Sequence, residues 1–119
     1  VDCLFCSIVD GLIPSKKVYE TDDVLCFYDI APVAPVHVLI VPKKHIDSVH
    51  QIGAEDVALV GQIHQAAQAV ADQLGIADSG YRLVTNCGKD AGQEVFHLHY
   101  HLVGGGRLSH FGQTDIHTG

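Results

Sequence analysis

In the run Phe96-His97-Leu98-His99-Tyr100-His101-Leu102 every second residue is histidine, and every intervening one is apolar or aromatic. On a strand, whose side chains alternate between two faces, this puts three imidazoles on one side and Phe96, Leu98, Tyr100 and Leu102 on the other. A helix would scatter the rings around its circumference, and Val95, Phe96 and Tyr100 favour extended backbone. A lone histidine here would read as a residue on a solvated sheet face; three in strict alternation read as chemistry. They cannot all bind one metal ion, because His97 and His101 would stand about 13 Å apart along a strand while metal to nitrogen bonds are roughly 2 Å long. One end member can still bind a metal with outside partners. What remains is a nucleophile with neighbours: a neutral imidazole attacks through one nitrogen when the other donates its proton to a fixed acceptor, and an adjacent histidine can hold an oxyanion or deliver a proton. The loop just before, residues 86–94, contains Gly88 and Gly92, which let backbone N–H groups approach phosphate oxygens closely. Most such loops are merely turns; its place directly ahead of the histidines supports the phosphate reading.

A second constellation is Cys3-x-x-Cys6, the spacing of a zinc half-site, which His45 and His97 would complete as a tetrahedral Cys2His2 set. The alternative is that both cysteines are small apolar residues on a short helix. The other two cysteines, Cys26 and Cys87, form no disulfide framework with them, and in a reducing compartment the pair points to metal or redox chemistry before a disulfide. Of the remaining histidines, His50, His64, His110 and His117 have no comparable neighbours in the sequence and read as surface residues.

The elements that must position these groups follow from periodicity and punctuation. Residues 4–10 suit a short helix stopped by Gly11. Residues 17–20 and 24–29 are strand-like and flank Thr21-Asp22-Asp23, a hairpin; 36–41 is another strand, halted by Pro42. From 54 to 74 the apolar residues Val57, Val60, Ile63, Ala67, Val70 and Leu74 recur every three or four positions, a long helix ending at Gly75. Gly61 inside it costs about 1 kcal/mol relative to alanine, which suggests close approach of another backbone. Residues 81–85 and 95–103 supply two more strands. Short turns between strands require antiparallel pairing, so the expectation is an α+β domain: about five mostly antiparallel strands with one long and one short helix.

The chain has 119 residues, 47% hydrophobic and 18% charged, which suits one domain over 1–119 with a packed core. No apolar run reaches the roughly 20 residues a membrane span needs, and the start of the chain has no basic segment followed by a long apolar stretch, so a cytoplasmic protein away from membranes is expected. A formal net charge of −7 is the wrong sign for binding a nucleic-acid polymer, though a mononucleotide can be held by a few local donors.

His97-Leu98-His99-Tyr100-His101-Leu102-Val103 resembles the His-x-His-x-His-x-x signature of the histidine triad family, with x mostly apolar. The residues from Phe27 to His37, then Val41-Pro42-Lys43-Lys44-His45, Asn86 and Gly92-Gln93 extend the similarity to its Hint branch along nearly the whole chain, and Gly105-Gly106-Arg107 favours that branch over the diadenosine polyphosphate hydrolases. The resemblance implies a homodimer that hydrolyses purine nucleoside phosphoramidates, AMP or GMP joined to an amine. It implies His99 as the nucleophile that becomes nucleotidylated, His101 and Asn86 at the phosphate with the backbone of Gly92, Gln93 and Glu94, and His37 buttressing the histidine cluster. Asp29 would bind the ribose hydroxyls, and Phe5, Ile8, Ile13, Phe27 and Ile30 would line the base pocket or, read blandly, form ordinary core. A carboxylate suits paired hydroxyls and flat apolar walls suit a purine. A subset of the family resembles the Cys2His2 arrangement. Two departures bear on substrate: Glu94 stands where the animal Hint enzymes carry a serine near the leaving group, and Leu108-Ser109-His110-Phe111 replaces the expected tail. Alternatives are a dinucleoside polyphosphate hydrolase, and a zinc-stabilised nucleotide-binding or adaptor protein that uses the same pocket without turnover.

Overall fold

The structure is a computed structural model that describes residues 3–110. Five strands form one antiparallel sheet: β1 (Lys17–Glu20), β2 (Val24–Tyr28), β3 (Val36–Pro42), β4 (Tyr81–Val84) and β5 (Tyr100–Gly104), in the spatial order β1-β2-β3-β5-β4. Helix α1 (Leu4–Val9) precedes them, and α2 (Val57–Gln73) lies between β3 and β4 in sequence. The α+β expectation holds, with most boundaries within a residue or two. The β1–β2 turn closes because the Thr21 hydroxyl oxygen accepts the N–H groups of Asp23 and Val24 at 3.3 and 3.1 Å, a side-chain turn that needs no glycine. A single turn of 3-10 helix, Ala54–Asp56, leads into α2. Asp56 fixes this entry by accepting the Gly53 N–H at 3.0 Å and pairing with Lys44 at 2.6 Å.

Alternation along β2 and β3 gives the sheet two covered faces. Val24, Cys26, Val38 and Ile40 point to α2 and pack with Ile63, Ala67 and Val70, joined by Leu98, Tyr100 and Leu102. Leu25, Phe27, Leu39 and Val41 point the other way, to Cys3, Phe5 and Ile8 around α1. In β5, His101 is opposite Leu39 and Val103 is opposite His37, so His37 and His101 share the α1 face. The sheet therefore separates a purely apolar layer from one that mixes apolar walls with histidines.

Three expectations are corrected. Residues 95–99 are not strand; β5 begins only at Tyr100. Its neighbour β3 ends at Pro42, which has no N–H to give a ladder. The Leu98 N–H instead donates to the Ile46 carbonyl at 2.6 Å. Phe96 is consequently 54% exposed rather than in the core, and Val57, at the first turn of α2, is 66% exposed. Gly61 meets no close backbone within the chain: a Cβ built there has nothing within 4 Å.

Candidate active site

The strand and the irregular segment before it bring all three histidines of the run into the interior, with His97, His99 and His101 only 0, 3 and 1% exposed. The backbone at His99 is held by the Thr85 hydroxyl, which donates to the His99 carbonyl at 2.8 Å. The rings of His99 and His101 lie 5.3 Å apart, and the Phe5 ring from α1 stands edge-on to His99 at 4.9 Å. His37 is a diagonal neighbour of His101 across β3 and β5, with 2.9 Å between its Nε2 and the His101 Nδ1.

Partners whose role is beyond choice fix where each proton sits. The carbonyl of His97 can only accept, so the Nδ1–H of His99 donates to it at 2.6 Å, which leaves the lone pair on Nε2. The Val33 N–H can only donate, and it reaches the His37 Nδ1 at 3.2 Å. Neutral His37 therefore carries its proton on Nε2 and donates to the His101 Nδ1, which places the His101 proton on Nε2. Burial lowers the pKa of His37 against the opposing charge of Asp29. Burial, then the His99 and His37 rings, pushes His101 down to about 3. The arrangement is thus an unprotonated ring nitrogen on His99 beside an N–H donor on His101, what attack on phosphorus and stabilisation of its oxygens require.

His37 and His101 wall one side of a cleft of about 1010 Å3 whose other walls include Phe5, Ile8, Ile13, Phe27, Asp29, Ile30 and Glu94. The expected base-pocket residues are thereby brought together: Phe5 and Ile8 from α1 and Phe27 from β2 are buried, whereas Ile13 and Ile30, at 38 and 102% exposed, form the rim. The Asp29 side chain is 10% exposed, with Oδ1 accepting the Ala31 N–H at 2.7 Å. Asn86 is half-buried and is not among the cleft-lining residues.

The loop before the histidines uses its own donors more than expected. The Gly92 N–H donates to the Lys89 carbonyl and the Gln93 N–H to that of Gly88, both at 3.0 Å. The Gln93 side chain is wholly engaged: its Oε1 accepts the Gly88 N–H, and its Nε2 donates to the carbonyls of Asp47 and Val95. Gly88 and Gly92 adopt φ of +83° and +86°, so their sequence signal was of a tight turn. The Glu94 N–H belongs to neither of those backbone bonds.

On the far side of His97 lies a second cluster. The His97 Nδ1 is 3.3 Å from the Cys3 Sγ and 3.5 Å from the Cys6 Sγ, and the His45 Nδ1 is 3.4 Å from the Cys6 Sγ. All four donor atoms lie within 4.8 Å of one another. A tetrahedral zinc with thiolate and imidazole ligands separates its donors by roughly 3.3–3.8 Å, so the set fits. The second ring nitrogens are held as ligand histidines require: His97 Nε2–H donates to the Pro42 carbonyl at 2.8 Å and His45 Nε2–H to Asp47 at 2.7 Å. Burial alone would raise Cys3, but hydrogen bonds from the Cys6 side chain and backbone, with His45 close by, hold it below the usual thiol range. Burial, then Cys3 beside it, pushes Cys6 up to about 11.

Asp47, two residues past His45, could have been suspected from spacing. Val33, Pro42 and Thr85 act through backbone groups or across the fold and left no signal in the sequence. His50, His64 and His110 are exposed as expected, with His64 against the Tyr100 ring at 5.5 Å; His117 and Phe111 lie outside the described residues.

Comparison with known proteins agrees with this geometry. The HIT domain family model matches residues 10–108. The purine nucleoside phosphoramidase of Escherichia coli K12 is 43% identical over 104 residues, 87% of each chain, and protein HitA of Neisseria gonorrhoeae is 42% identical over 103 residues, 87% of this chain and 95% of its own. Among solved structures, a histidine triad protein from Clostridium difficile superposes with a TM-score of 0.90 at 49% identity, over 93% of this chain and 96% of that one. A HIT family hydrolase from Clostridium thermocellum gives 0.89 at 51%, over 92% and 95%. With the three histidines, the five-stranded sheet and these relatives in agreement, the chain belongs to the HIT domain family.

Proposed function

We propose that this protein is a hydrolase that cleaves the P–N bond of purine nucleoside 5′-phosphoramidates through a nucleotidyl group on His99. The observation that carries the reading is the fixed tautomer of His99, whose Nδ1–H is tied to the His97 carbonyl so that Nε2 bears the lone pair. In the first step the Nε2 lone pair attacks phosphorus, the P–N bond breaks and the amine departs with a proton taken up from solvent, leaving His99 as an N-phosphorylated imidazolium; the water of the second step gives that proton back as the bond from phosphorus to His99 breaks. Water then attacks the phosphorus of the nucleotidyl-histidine and releases the nucleoside monophosphate, so one difficult displacement becomes two easier ones. The His101 Nε2–H donates to a phosphoryl oxygen as charge builds there, and Asn86 and the Glu94 N–H are the further donors in this reading. The base occupies the apolar end among Phe5, Ile8, Ile13, Phe27 and Ile30, and the ribose hydroxyls donate to Asp29; these residues line one cleft together with Glu94 and His101, whereas His99 and Asn86 are not among its lining residues.

The fit of Cys3, Cys6, His45 and His97 supports a structural zinc. Bound there, zinc supplies a crosslink between α1 and the core, and it takes no part in the displacement. The functional reading is tested by comparing hydrolysis of AMP-lysine and diadenosine triphosphate. Faster cleavage of the phosphoramidate supports it; faster cleavage of the polyphosphate makes the protein a dinucleoside polyphosphate hydrolase; binding of AMP without turnover of either makes it a nucleotide-binding protein.

A further inference from the structure

Asp29, His37 and His101 form a group that ribose binding alone does not explain. The His37 Nε2 lies 2.9 Å from the His101 Nδ1 and also 3.4 Å from the Asp29 Oδ2, and the His37 side chain is fully buried. Their donor atoms lie within 4.8 Å of one another, close enough to suggest a metal site. The Val33 N–H on the His37 Nδ1 argues against one, since it keeps the ring proton on Nε2, the atom a cation would need. The group is therefore a shared proton: one N–H, with an imidazole nitrogen and a carboxylate oxygen competing to accept it.

We propose that Asp29 is a positioning residue that couples ribose recognition to the hydrogen-bond strength of His101 at the phosphate. The proposal rests on the phosphoramidase reading for its kinetic consequence. The donors run one way: Val33 N–H to His37, His37 Nε2–H to His101, His101 Nε2–H to a phosphoryl oxygen. In such a chain each bond polarises the next, so a stronger bond into the His101 Nδ1 makes its Nε2–H a better donor. With the ribose subsite empty, the Asp29 carboxylate draws the His37 proton away from that chain. When two ribose hydroxyls donate to the carboxylate, it becomes a weaker acceptor and the His37 proton commits to His101. Ribose contact then lowers the barrier as well as adding affinity, the pattern expected when a remote part of a substrate is used at the reacting centre.

The test compares AMP-lysine with its 2′,3′-dideoxy analogue in wild type and in Asp29→Asn. In wild type the missing hydroxyls should lower kcat by about tenfold, less than the loss on deleting a transition-state donor outright, in addition to raising KM. In Asp29→Asn, which removes the competing charge, the two sugars should give the same kcat. A wild-type kcat indifferent to the sugar, with the whole effect in KM, overturns the proposal and leaves Asp29 a binding residue. A second readout needs neither turnover nor a variant. In 15N-histidine-labelled wild type, the scalar coupling across the His37 Nε2–H to His101 Nδ1 bond should grow on adding AMP and not on adding 2′,3′-dideoxy-AMP. Equal responses overturn the proposal. Failure to hydrolyse any AMP-amine, with the NMR difference present, removes the phosphoramidase reading and leaves the coupling standing.

Discussion

At the scale of single residues, the alternating histidines are close in type and distinct in role because each meets a different partner. His97 turns Nδ1 to two thiols, His99 ties its Nδ1–H to a carbonyl, and His101 accepts the His37 Nε2–H at Nδ1. Under the proposed mechanism, replacing His99 should then differ sharply from replacing its neighbour. His99→Ala should lower turnover of AMP-lysine by on the order of 10^4-fold or more while AMP binding survives; His101→Gln should cost about 10^2 to 10^3, as loss of one oxyanion donor does. Near wild-type hydrolysis by His99→Ala would refute the mechanism, and exposed His50→Ala is the control. Burial of neutral histidine also has a cost in acid. The folded His101 takes its proton only near pH 3, against 6.5 for the ordinary group. The unfolded chain therefore binds protons first, and stability should fall as pH drops below about 6.5 towards 3, with no such contribution above that window. Denaturant midpoints between about pH 7 and 5, where carboxylates stay ionised, should decline in wild type and decline less in His101→Gln; equal slopes would mean that this histidine is not the cause.

At the scale of elements, α1 is a six-residue helix, too short to persist alone, yet it and its N-cap Cys3 supply Phe5 and Ile8 to the cleft wall and both thiols to the Cys2His2 group. Its hold on the body is the side-chain packing of Cys3, Phe5 and Ile8 on β2 and β3 together with the thiols against His97 and His45. Removing a bound zinc by chelation should therefore lower the melting temperature by on the order of 10 °C and weaken nucleotide binding through loss of the pocket wall. Elemental analysis of protein made with zinc present checks the premise, and a zinc to chain ratio near zero would remove it. The sequence was informative about elements wherever period and punctuation agreed, as in the hairpin at Thr21 and the stripe along α2. It misplaced residues 95–99 because alternation is only a pattern of side chains. Whether the backbone there is ladder or loop depended on Pro42 and on the Ile46 carbonyl, both contributed from more than 50 positions away in the chain. The site remained legible because residues 97, 99 and 101 keep facing one side even where the ladder stops; the loop at 86–94 misled because glycine signals a tight turn as readily as an anion cradle.

At the scale of the whole molecule, the net charge of −7 opposes binding of a nucleic-acid polymer, and among the described residues no helix is long and apolar enough to cross a membrane. Two features find no use among the described residues. There, the outer edge of β4 ends the sheet with no strand beside it, a row of backbone donors and acceptors that proteins usually cover. The solvent side of α2 carries Val57 at 66% exposure and the open Gly61, a helix interior glycine that costs stability with no close neighbour to justify it. A second copy packed two-fold against such a surface would account for both, and closed two-fold dimers are the commonest soluble assembly. Sedimentation at micromolar concentration should accordingly give a species of twice the 12.8 kDa chain mass, and a single-chain species alone would reject the dimer. Gly61→Leu places its side chain where nothing lies within 4 Å of the Cβ, so the fold should tolerate it and circular dichroism should be unchanged. If α2 lies in the interface, this variant should shift the equilibrium to the single chain, and a dimer that persists unaltered would exclude that face and leave the β4 edge as the contact.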